Sequence, residues 1–289
     1  MRAQLWITSK SDEHEPEGFT RTLERSLRRL QTDHVEMYFL HMLQRPELLS
    51  SALKATVERL RKAGKLKHFG FSCHHGNVAE LLQHAAKLGW VEAVMFRYNF
   101  RNYGDAALNR AIDACVKAGV GLIAMKTQGS AVSFAPRVER FARIGRWTRA
   151  QAVLKAVWAD ERISAAVSHM DTFEKLRENV AAALDRSKLG AAEQAELERY
   201  ATATRGLACD GCDQHCGAAL AAPQAISDTL RALMYHDVYG EPARARALFA
   251  RSPPLAPQLS GPELAAAAAH CPHGLDLPAL LTRAARVLA

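Results

Sequence analysis

Residues 64–72 read GKLKHFGFS, a short apolar run that follows a glycine and ends in a serine. Short apolar runs bounded in this way are typical of buried strands, and we predict a strand over Lys67–Phe71. Gly64 is a typical helix stop, and Asn77 is a typical helix N-cap. The stretch therefore predicts a strand that lies between two helices.

The same alternation of strand and helix extends on both sides of this stretch. The spacing of Leu23, Leu27 and Leu30 is that of a buried helix face. Repeated alternation of this kind indicates a parallel sheet with helices outside it. The predicted strands are Gln4–Thr8, Val35–Leu40, Lys67–Phe71, Ala93–Phe96, Gly121–Met125 and Ile163–Val167. The predicted helices are Phe19–Leu30, Glu47–Ala63, Asn77–Leu88, Asp105–Ala118, Arg149–Ala159 and Thr172–Ala183.

A closed (βα)8 barrel needs eight strand–helix units, and about six are visible in this α/β pattern. We predict a partial TIM-type barrel over residues 1–205, with an open doubly wound sheet as the alternative. Beyond a boundary near Arg205–Gly206 come cysteines and helical runs, so we predict a helical domain over residues 206–289. Its predicted helices lie around Ala225–Met234, Glu241–Ala250 and Leu277–Leu288.

The chain of 289 residues carries a net charge of +8, with a pI near 9.3. Clustered basic residues would indicate nucleic-acid binding, but here they are scattered along helical stretches. Some of the positive charge is better explained by binding of an anionic cofactor than by binding of a nucleic acid. No apolar run reaches the ~18–20 residues that a membrane span needs, and residues 1–8 do not read as a signal peptide. We therefore expect a cytoplasmic protein without a nucleic-acid or membrane partner.

Four polar residues, Lys10, His41, Ser72 and Lys126, fall at or just beyond the carboxyl ends of predicted strands. Barrel enzymes build their active sites at this edge of the sheet, so these are candidate site residues. Considered alone, Lys10 also fits a surface lysine after an edge strand, and His41 also fits a hydrogen-bonded structural histidine.

A cluster of cysteines opens the predicted helical domain. Cys209, Cys212 and Cys216 have C-x2-C-x3-C spacing, and Cys271 with the proline after it comes much later. Ferredoxin-type sites combine closely spaced cysteines with a distant one that is often followed by proline. We predict these four as ligands of a 4Fe-4S cluster. A zinc site is the alternative, with His215, His270 or His273 as a further candidate ligand.

The other two cysteines, Cys73 and Cys115, are predicted to be buried thiols. The run Cys73-His74-His75 looks like a set of metal ligands, but adjacent residues of an extended chain point in opposite directions. We therefore do not expect a metal site there.

Several segments together resemble, in order and spacing, the aldo-keto reductases. They are ITSK (7–10), LERSLRRLQTD (23–33), YFLH (38–41), GKLKHFGFS (64–72), YN (98–99), AMK (124–126) and EKLREN (174–179). The resemblance implies a (βα)8 barrel that binds NADP and reduces a small-molecule carbonyl substrate. By the same resemblance, Lys10 and His41 are catalytic, whereas Ser72, Lys126, Met170, Lys175, Glu178 and Asn179 bind the cofactor. Lys175 is an expected partner of a 2′-phosphate, although it also fits a solvated helix charge.

In that family a tyrosine donates a proton to the carbonyl oxygen, a lysine lowers the pKa of the tyrosine, and an aspartate pairs with the lysine. Both the aspartate and the tyrosine precede the lysine in the family, and neither has a counterpart before Lys10. We consider three explanations: the chain is a truncated product or fragment, a second chain completes the barrel, or the reductase chemistry is lost. The candidates to replace the missing tyrosine are Tyr98 and Tyr103.

A branch of the family carries a C-terminal helical extension with a four-iron cluster, and residues 235–240 (YHDVYG) resemble that branch. In the usual cluster motif the third ligand stands where this chain has His215, with Cys216 next to it. The resemblance implies an NADP-dependent aldo/keto oxidoreductase with an iron–sulfur domain and an electron-transfer partner. The alternative is a non-catalytic redox or binding protein.

Overall fold

The computed structural model describes residues 2–73, 76–128, 136–205, 209, 211–217, 219–220, 226–252 and 261–289. The chain divides into two compact units, which we call the sheet unit and the helical unit. The sheet unit comprises Met1–Thr127 and Val157–Ser168, and the helical unit comprises Gln128–Ala156 and His169–Ala289. This division differs from the predicted domains, 1–205 and 206–289, which stay a prediction.

The sheet unit is built on one parallel sheet of six strands in the order β1-β2-β3-β4-β5-β8. A doubly wound sheet reverses its strand order at a switch point, whereas here the order follows the chain. The sheet is therefore of the barrel type, and the doubly wound alternative is wrong. The strands are β1 (Thr8–Ser11), β2 (Val35–Leu40), β3 (Leu66–Cys73), β4 (Ala93–Arg97), β5 (Gly121–Met125), β6 (Arg143–Ile144), β7 (Trp147–Thr148) and β8 (Ala165–Ala166).

Some helices begin at a residue whose side chain caps them, whereas the predicted N-cap Asn77 precedes its helix without a capping hydrogen bond to its side chain. Ser50 Oγ accepts a hydrogen bond from the Leu53 amide at 3.2 Å, and Asp105 Oδ1 accepts one from the Leu108 amide at 3.0 Å. The helices of the first half are α1 (Pro16–Leu30), α2 (Ser51–Lys62), α3 (Val78–Leu88), α4 (Ala106–Lys117), α5 (Arg149–Ala159) and α6 (Phe173–Leu184). Those of the second half are α7 (Ala191–Ala203), α8 (Asp213–Gly217), α9 (Ile226–Asp237), α10 (Pro242–Phe249), α11 (Gly261–Ala269) and α12 (Leu277–Leu288).

The core of the sheet unit is rich in large aromatic side chains. The ring of Phe19, on α1, lies 4.9 Å from that of Tyr38 and 5.9 Å from that of Phe69. These side chains are fully buried, as are Phe71 on β3 and Phe96 on β4. Full burial of one such side chain stabilises a protein by about 1.5–3 kcal/mol. This packing gives the ends of the strands a rigid support.

The predicted strand Gln4–Thr8 is wrong in its bounds. Arg2–Gln4 form a short 3-10 helix, Leu5 and Trp6 are exposed, and the strand begins at Thr8. The cause is the buried carboxylate of Glu36, which accepts hydrogen bonds from the Ile7 amide at 2.7 Å and from the Arg2 guanidinium. These bonds hold residues 2–7 at the start of β2. Lys10 consequently lies within β1, one residue before its end.

Within the helical unit, the hairpin of β6 and β7 is held to the end of α6 by Asp185. The Asp185 carboxylate accepts hydrogen bonds from the Trp147 indole at 3.1 Å and from Arg146 at 2.8 Å. The nearly buried ammonium of Lys155 donates to the Asp185 carbonyl. Hydrogen bonds from Ser187, followed by the one from Trp147, lower the pKa of Asp185 far below its usual range. The hairpin was not predicted, because each of its strands has only two residues.

The last helices form a core of smaller side chains. Its fully buried members are leucine, isoleucine and alanine, among them Leu230, Ala232, Leu277 and Ala284. The predicted bounds of α12 are confirmed, and α9 and α10 lie within three residues of the predicted ends. Ala225, the predicted start of α9, lies outside the described residues. Within the described part of the chain, none of the helices is both long enough and apolar enough to span a membrane.

Candidate active site and cysteine pocket

Three of the candidate residues stand side by side at the carboxyl ends of adjacent strands. Lys10 is paired with Phe39 in the register of β1 and β2. The His41 amide donates to the Ser11 carbonyl at 2.8 Å, and the Leu43 amide donates to the Ser72 carbonyl at 2.8 Å. Because neighbouring strands lie about 4.8 Å apart, these bonds place Lys10, His41 and Ser72 along one edge of the sheet.

The ring of His41 is held by an aspartate that the sequence analysis did not single out. The Nδ1 atom of His41 lies 2.5 Å from Oδ1 of Asp12, which follows β1 directly. The His41 side chain is 19% exposed, whereas that of Asp12 is 78% exposed. Asp12 and His41 are 29 residues apart in the chain, so only the register of β1 and β2 brings them together.

Ser72 is buried and fixes the turn that follows His41. Its Oγ accepts a hydrogen bond from the amide of Met42 at 3.3 Å. Met42 has a φ of 56°, in the left-handed region that few residues other than glycine adopt. Backbone strain of this kind persists only where the surroundings enforce it, and it is common at functional sites.

Lys126 follows β5 and is also left-handed, with a φ of 59°. The side-chain amide of Asn99, which is itself buried, donates to the Lys126 carbonyl at 3.2 Å. Asn99 Oδ1 also accepts from the Arg101 amide at 3.0 Å, so the asparagine is fixed on both sides. The sequence marked Asn99 only as a strand-end residue, but the structure adds that it positions the Lys126 backbone.

Neither substitute tyrosine has the properties of a ready proton donor. The hydroxyl of Tyr98 donates to Asp160 Oδ2 at 2.5 Å. Burial, together with this hydrogen bond and the charge of Asp160, raises the pKa of Tyr98 far above its usual range. Burial and the charge of Asp160 raise the pKa of Tyr103 to about 12. A catalytic acid of this kind needs a pKa closer to neutral, so the idea that either tyrosine substitutes gains no support.

The remaining cofactor candidates belong to the helical unit, at the start of α6. Thr172 caps this helix, and its Oγ1 accepts from the Lys175 amide at 3.3 Å. The Lys175 ammonium lies 2.6 Å from Asp171, and this hydrogen bond lowers the pKa of Asp171. Glu178 accepts a hydrogen bond from the Thr148 hydroxyl. Lys175 therefore stands at a helix N-terminus, where the backbone amides also favour an anion.

Two further cofactor candidates lie on or just before the same helix. Met170 precedes α6 with 47% of its surface exposed, and Asn179 is half-buried beside Glu178. The backbone carbonyl of Glu178 accepts from the Gln151 side chain at 3.3 Å, so this turn of the helix is tied to α5. The start of α6 thus presents an ordered surface on which Met170 is accessible.

The four predicted cysteine ligands line one small pocket in the helical unit. Cys209, Cys212, Cys216 and Cys271 surround it together with Pro272, His273 and the apolar side chains of Ile226, Leu275 and Leu277. All four cysteines are partly buried, whereas Cys73 and Cys115 are fully buried in the sheet unit, as predicted. His74 and His75 lie outside the described residues.

The backbone around the pocket suits sulfur ligands. The amide of Gly211 donates to Cys209 Sγ at 3.4 Å, and Gly211 has a φ of 76°, which directs the loop around the sulfur. Hydrogen bonds to sulfur are a means by which proteins tune iron–sulfur clusters. Among the residues that the structure describes, no three His, Cys, Asp or Glu side chains already stand as a set of metal ligands.

A parallel sheet in chain order, with polar residues at its carboxyl edge, defines a barrel-type enzyme scaffold. Residues 1–181 match the model of the aldo/keto reductase family. The chain therefore belongs to the aldo/keto reductase family, and this membership indicates oxidoreductase activity. The predicted family and barrel-type α/β fold are confirmed. The four-iron extension and the truncated N-terminus stay predictions.

Solved structures of aldo-keto reductases share the fold. AKR11C1 from Bacillus halodurans matches in its apo form with a TM-score of 0.55 and 17% identity, over 69% of this chain and 72% of that one. Its holo form matches with a TM-score of 0.56. The thermostable Tm1743, solved with the inhibitor epalrestat, matches with a TM-score of 0.53 and 23% identity, over 69% of this chain and 73% of that one. No curated protein sequence matches the chain.

Proposed function

We propose that this protein is an NADP-dependent oxidoreductase that reduces a small carbonyl substrate by hydride transfer, or catalyses the reverse reaction. The observation that carries the proposal is the alignment of Lys10, His41 and Ser72 on adjacent strand ends, with Lys126 at the end of β5. Polar groups at this edge are the usual location of catalytic residues in barrel enzymes.

The residues present fit the nicotinamide end of the cofactor. The oxygen of a serine both donates and accepts, so Ser72 can accept from the Met42 amide and still donate its proton to a carboxamide. The backbone of Lys126 is fixed by Asn99, which gives its side chain a defined origin. Bound NADPH would supply the hydride, and Ser72 and Lys126 would orient its ring.

The residues at the start of α6 fit the adenosine end. A cation beside the ribose favours a 2′-phosphate, and Lys175 offers one next to the amides of a helix N-terminus. Its present partner, Asp171, is exposed, so exchanging that ion pair for a phosphate costs little. Met170 is proposed to cover the adenine, and Glu178 and Asn179 to contact it.

At the reacting carbon, His41 is proposed to orient the carbonyl oxygen of the substrate through a hydrogen bond. Lys10 is exposed on β1 and supplies positive charge beside it. Positive charge and hydrogen-bond donors at the site where negative charge develops lower the barrier for adding hydride to a carbonyl.

The helical unit is proposed to hold a 4Fe-4S cluster on Cys209, Cys212, Cys216 and Cys271, with zinc as the alternative. In support, these four residues line one pocket, although the last lies more than fifty residues after the others. The cluster would pass electrons to a protein partner or stiffen the helices that follow residue 209. Thiolate ligands of this kind persist in a reducing, cytoplasmic setting.

The second candidate is a non-catalytic redox or binding protein that keeps the cluster but has lost hydride transfer. The pKa values of the tyrosines favour this candidate. Burial raises the pKa of Tyr38, Tyr98, Tyr103 and Tyr239, which is opposite to the shift that a lysine-activated proton donor requires.

Titration of the purified chain with NADPH and with NADH, followed by carbonyl-reduction assays, tests the first candidate. Tighter binding of NADPH is expected, and Lys175→Ala should remove at least about tenfold of that preference. Arg186→Ala is the matched control, because Arg186 is an exposed cation beyond the far end of the same helix. If the wild type binds neither nucleotide, the reductase proposal is wrong.

The metal is identified by iron and zinc analysis of an anaerobic sample, together with its visible absorbance. Several irons per chain and a broad charge-transfer absorbance are expected for the cluster. One zinc per chain without visible absorbance would instead identify the alternative.

A further inference from the structure

We propose that Asp12 is a positioning residue for His41. It fixes the tautomer and the orientation of the His41 ring, so that the ring delivers a proton to the substrate oxygen and recovers it in the reverse direction. The observation is the distance of 2.5 Å between Asp12 Oδ1 and His41 Nδ1 at the carboxyl edge of the sheet. This role rests on the proposed function, and Asp12 is not among the site residues predicted from the sequence.

Both partners are anchored through their backbones. The His41 amide donates to the carbonyl of Ser11, the residue that precedes Asp12. Ser11 is fully buried, and its Oγ accepts from the Glu13 amide at 3.0 Å and donates to the Glu13 carbonyl at 3.0 Å. These bonds close a turn around Asp12, so its carboxylate is directed to His41 even though it is exposed.

The histidine is fixed from the other side. His14 Nε2 donates to the His41 carbonyl at 2.8 Å. The next residue, Met42, is held in its left-handed conformation by Ser72 Oγ. With the backbone fixed before and after it and the ring 19% exposed, His41 has little freedom to turn away from Asp12.

A carboxylate accepts hydrogen bonds and donates none, so it requires a proton on the ring nitrogen that faces it. Nδ1 of His41 is therefore the donor in both protonation states, and the second nitrogen, Nε2, changes between donor and acceptor. An aspartate has the same effect on the histidine of hydrolytic triads, where it fixes the tautomer and the orientation of the ring. The Asp12–His41 pair thus assigns the transferable proton to Nε2.

In the direction of reduction, bound NADPH would supply the hydride that forms the new C–H bond, and the π electrons of the carbonyl would move to the oxygen. The Nε2–H bond of a protonated His41 would break, and its proton would form the new O–H bond. NADPH would be oxidised and the carbonyl reduced, and the neutral His41 would take its next proton from water.

The chain contains a matched control for this pair. Asp33 Oδ1 lies 2.6 Å from Nδ1 of His34, which immediately precedes β2, at the opposite end of that strand. Asp33 is 91% exposed, so this second pair joins the same two side-chain types with the same atoms in a similarly open setting. The substitutions Asp12→Asn and Asp33→Asn therefore remove the same type of contact. They differ in location and in the second contact of His34, whose Nε2 lies 3.1 Å from Glu36 Oε1.

The first experiment is ¹⁵N NMR of the histidine side chains in the full chain without nucleotide. We expect a proton on Nδ1 of His41 in the wild type and in Asp33→Asn, and loss of that preference in Asp12→Asn. A merely structural role of Asp12 would not change the tautomer. An Asp12→Asn variant with an unchanged His41 tautomer would overturn the proposal.

The second experiment is steady-state carbonyl reduction with NADPH. Asp12→Asn should lower kcat by roughly a hundredfold, the lower end of what a positioned acid or base contributes, and leave the KM for NADPH unchanged. Asp12→Glu should recover part of the loss, and Asp33→Asn should have no effect. If wild type and Asp12→Asn turn over equally, Asp12 has no positioning role. Absence of NADPH binding in the wild type is a different result, which overturns the proposed function.

Discussion

The two units differ in what holds them together. The core of the sheet unit contains large rings, such as Phe19, Tyr38 and Phe69, packed edge to face. The last helices of the helical unit bury leucines and alanines instead, and Cys209, Cys216 and Cys271 lie partly buried against them. Because alanine buries little apolar area, the core formed by the last helices supplies less hydrophobic stabilisation than the core of the sheet unit.

We expect from this difference that the sheet unit depends on its own packing, whereas the last helices depend on the proposed metal at the cysteine pocket. Small domains with limited cores are commonly stabilised by a structural metal. The binding free energy of the metal then becomes part of the folding free energy. Four measurements test this contrast.

The largest effect is expected from removing Cys271, the most distant of the four proposed ligands. Cys271→Ser should abolish most of the bound metal and unfold the helices after residue 209, because structural metal contributes on the order of 10 kcal/mol in small domains. Metal analysis and hydrogen exchange of the tail amides measure both consequences. Cys115→Ala is the control, since this thiol is buried in the sheet unit and donates to the Leu82 carbonyl. Native exchange protection in Cys271→Ser would contradict the comparison.

The next effect comes from the aromatic core. Phe69 is fully buried between Phe19 and Trp90, and its ring lies 5.0 Å from that of Trp90. Phe69→Ala should lower the free energy of unfolding of the sheet unit by about 3–5 kcal/mol, because it leaves a cavity. Urea denaturation measures this loss. Leu5→Ala, at a site 53% exposed, should change stability by no more than about 0.5 kcal/mol, and equal effects of the two would be contrary to the described core.

A pH-dependent effect is expected at Glu36. Burial raises the pKa of Glu36, but hydrogen bonds from Ile7, Arg2 and Lys67 outweigh it and lower the pKa from 4.5 to about 2. Because the pKa is lower in the folded state, the contribution of Glu36 is complete above pH 4.5 and is lost as the pH falls towards 2. Glu36→Gln should cost roughly 2 kcal/mol at neutral pH, as expected for hydrogen bonds to a charged group.

Urea denaturation at neutral pH and near pH 2 measures the Glu36 effect. The difference in free energy of unfolding between wild type and Glu36→Gln should be smaller in acid. Glu58→Gln serves as the control, because Glu58 is exposed and its pairing with Lys54 at 3.8 Å contributes little. If the difference in free energy of unfolding between wild type and Glu36→Gln grew in acid, the predicted direction of the pH dependence would be wrong.

The smallest effects are expected from two helix caps, one in each unit. Asp105 caps α4 in the sheet unit, and Asp276 caps α12 by accepting from the Ala279 amide at 3.1 Å. Replacing either by alanine should cost about 1 kcal/mol. Hydrogen exchange should localise each loss to the unit that contains the cap. If Asp276→Ala weakens protection across the sheet unit to the same extent, the two units fold as one and the comparison is wrong.

Much of the local structure could be predicted because it depends on neighbours in the chain. Asp105 caps α4 through a bond that spans three residues, and α12 has the predicted bounds. The start of β1 was missed because the apolar pair Leu5-Trp6 looks like a strand, while Glu36, far along the chain, holds this segment in place.

Part of the candidate site could be predicted for the same reason. Lys10, His41 and Ser72 were found because each follows the apolar run of a strand, a local signal. Asp12 was missed because its role depends on His41, which lies on the next strand. Asn99 was noted at a strand end, but its hydrogen bond to the Lys126 carbonyl is visible only once β4 and β5 are paired.

The alternation of strands and helices, the residues at the strand ends and the spacing of the cysteines can be read from the chain alone, because periodicity and capping involve groups a few residues apart. Three features are visible only in the folded protein: the order of strands in the sheet, the pairing of Asp12 with His41, and the meeting of Cys271 with Cys209 at one pocket. Those contacts join residues far apart in sequence, and they form only when register and burial are settled for the whole unit.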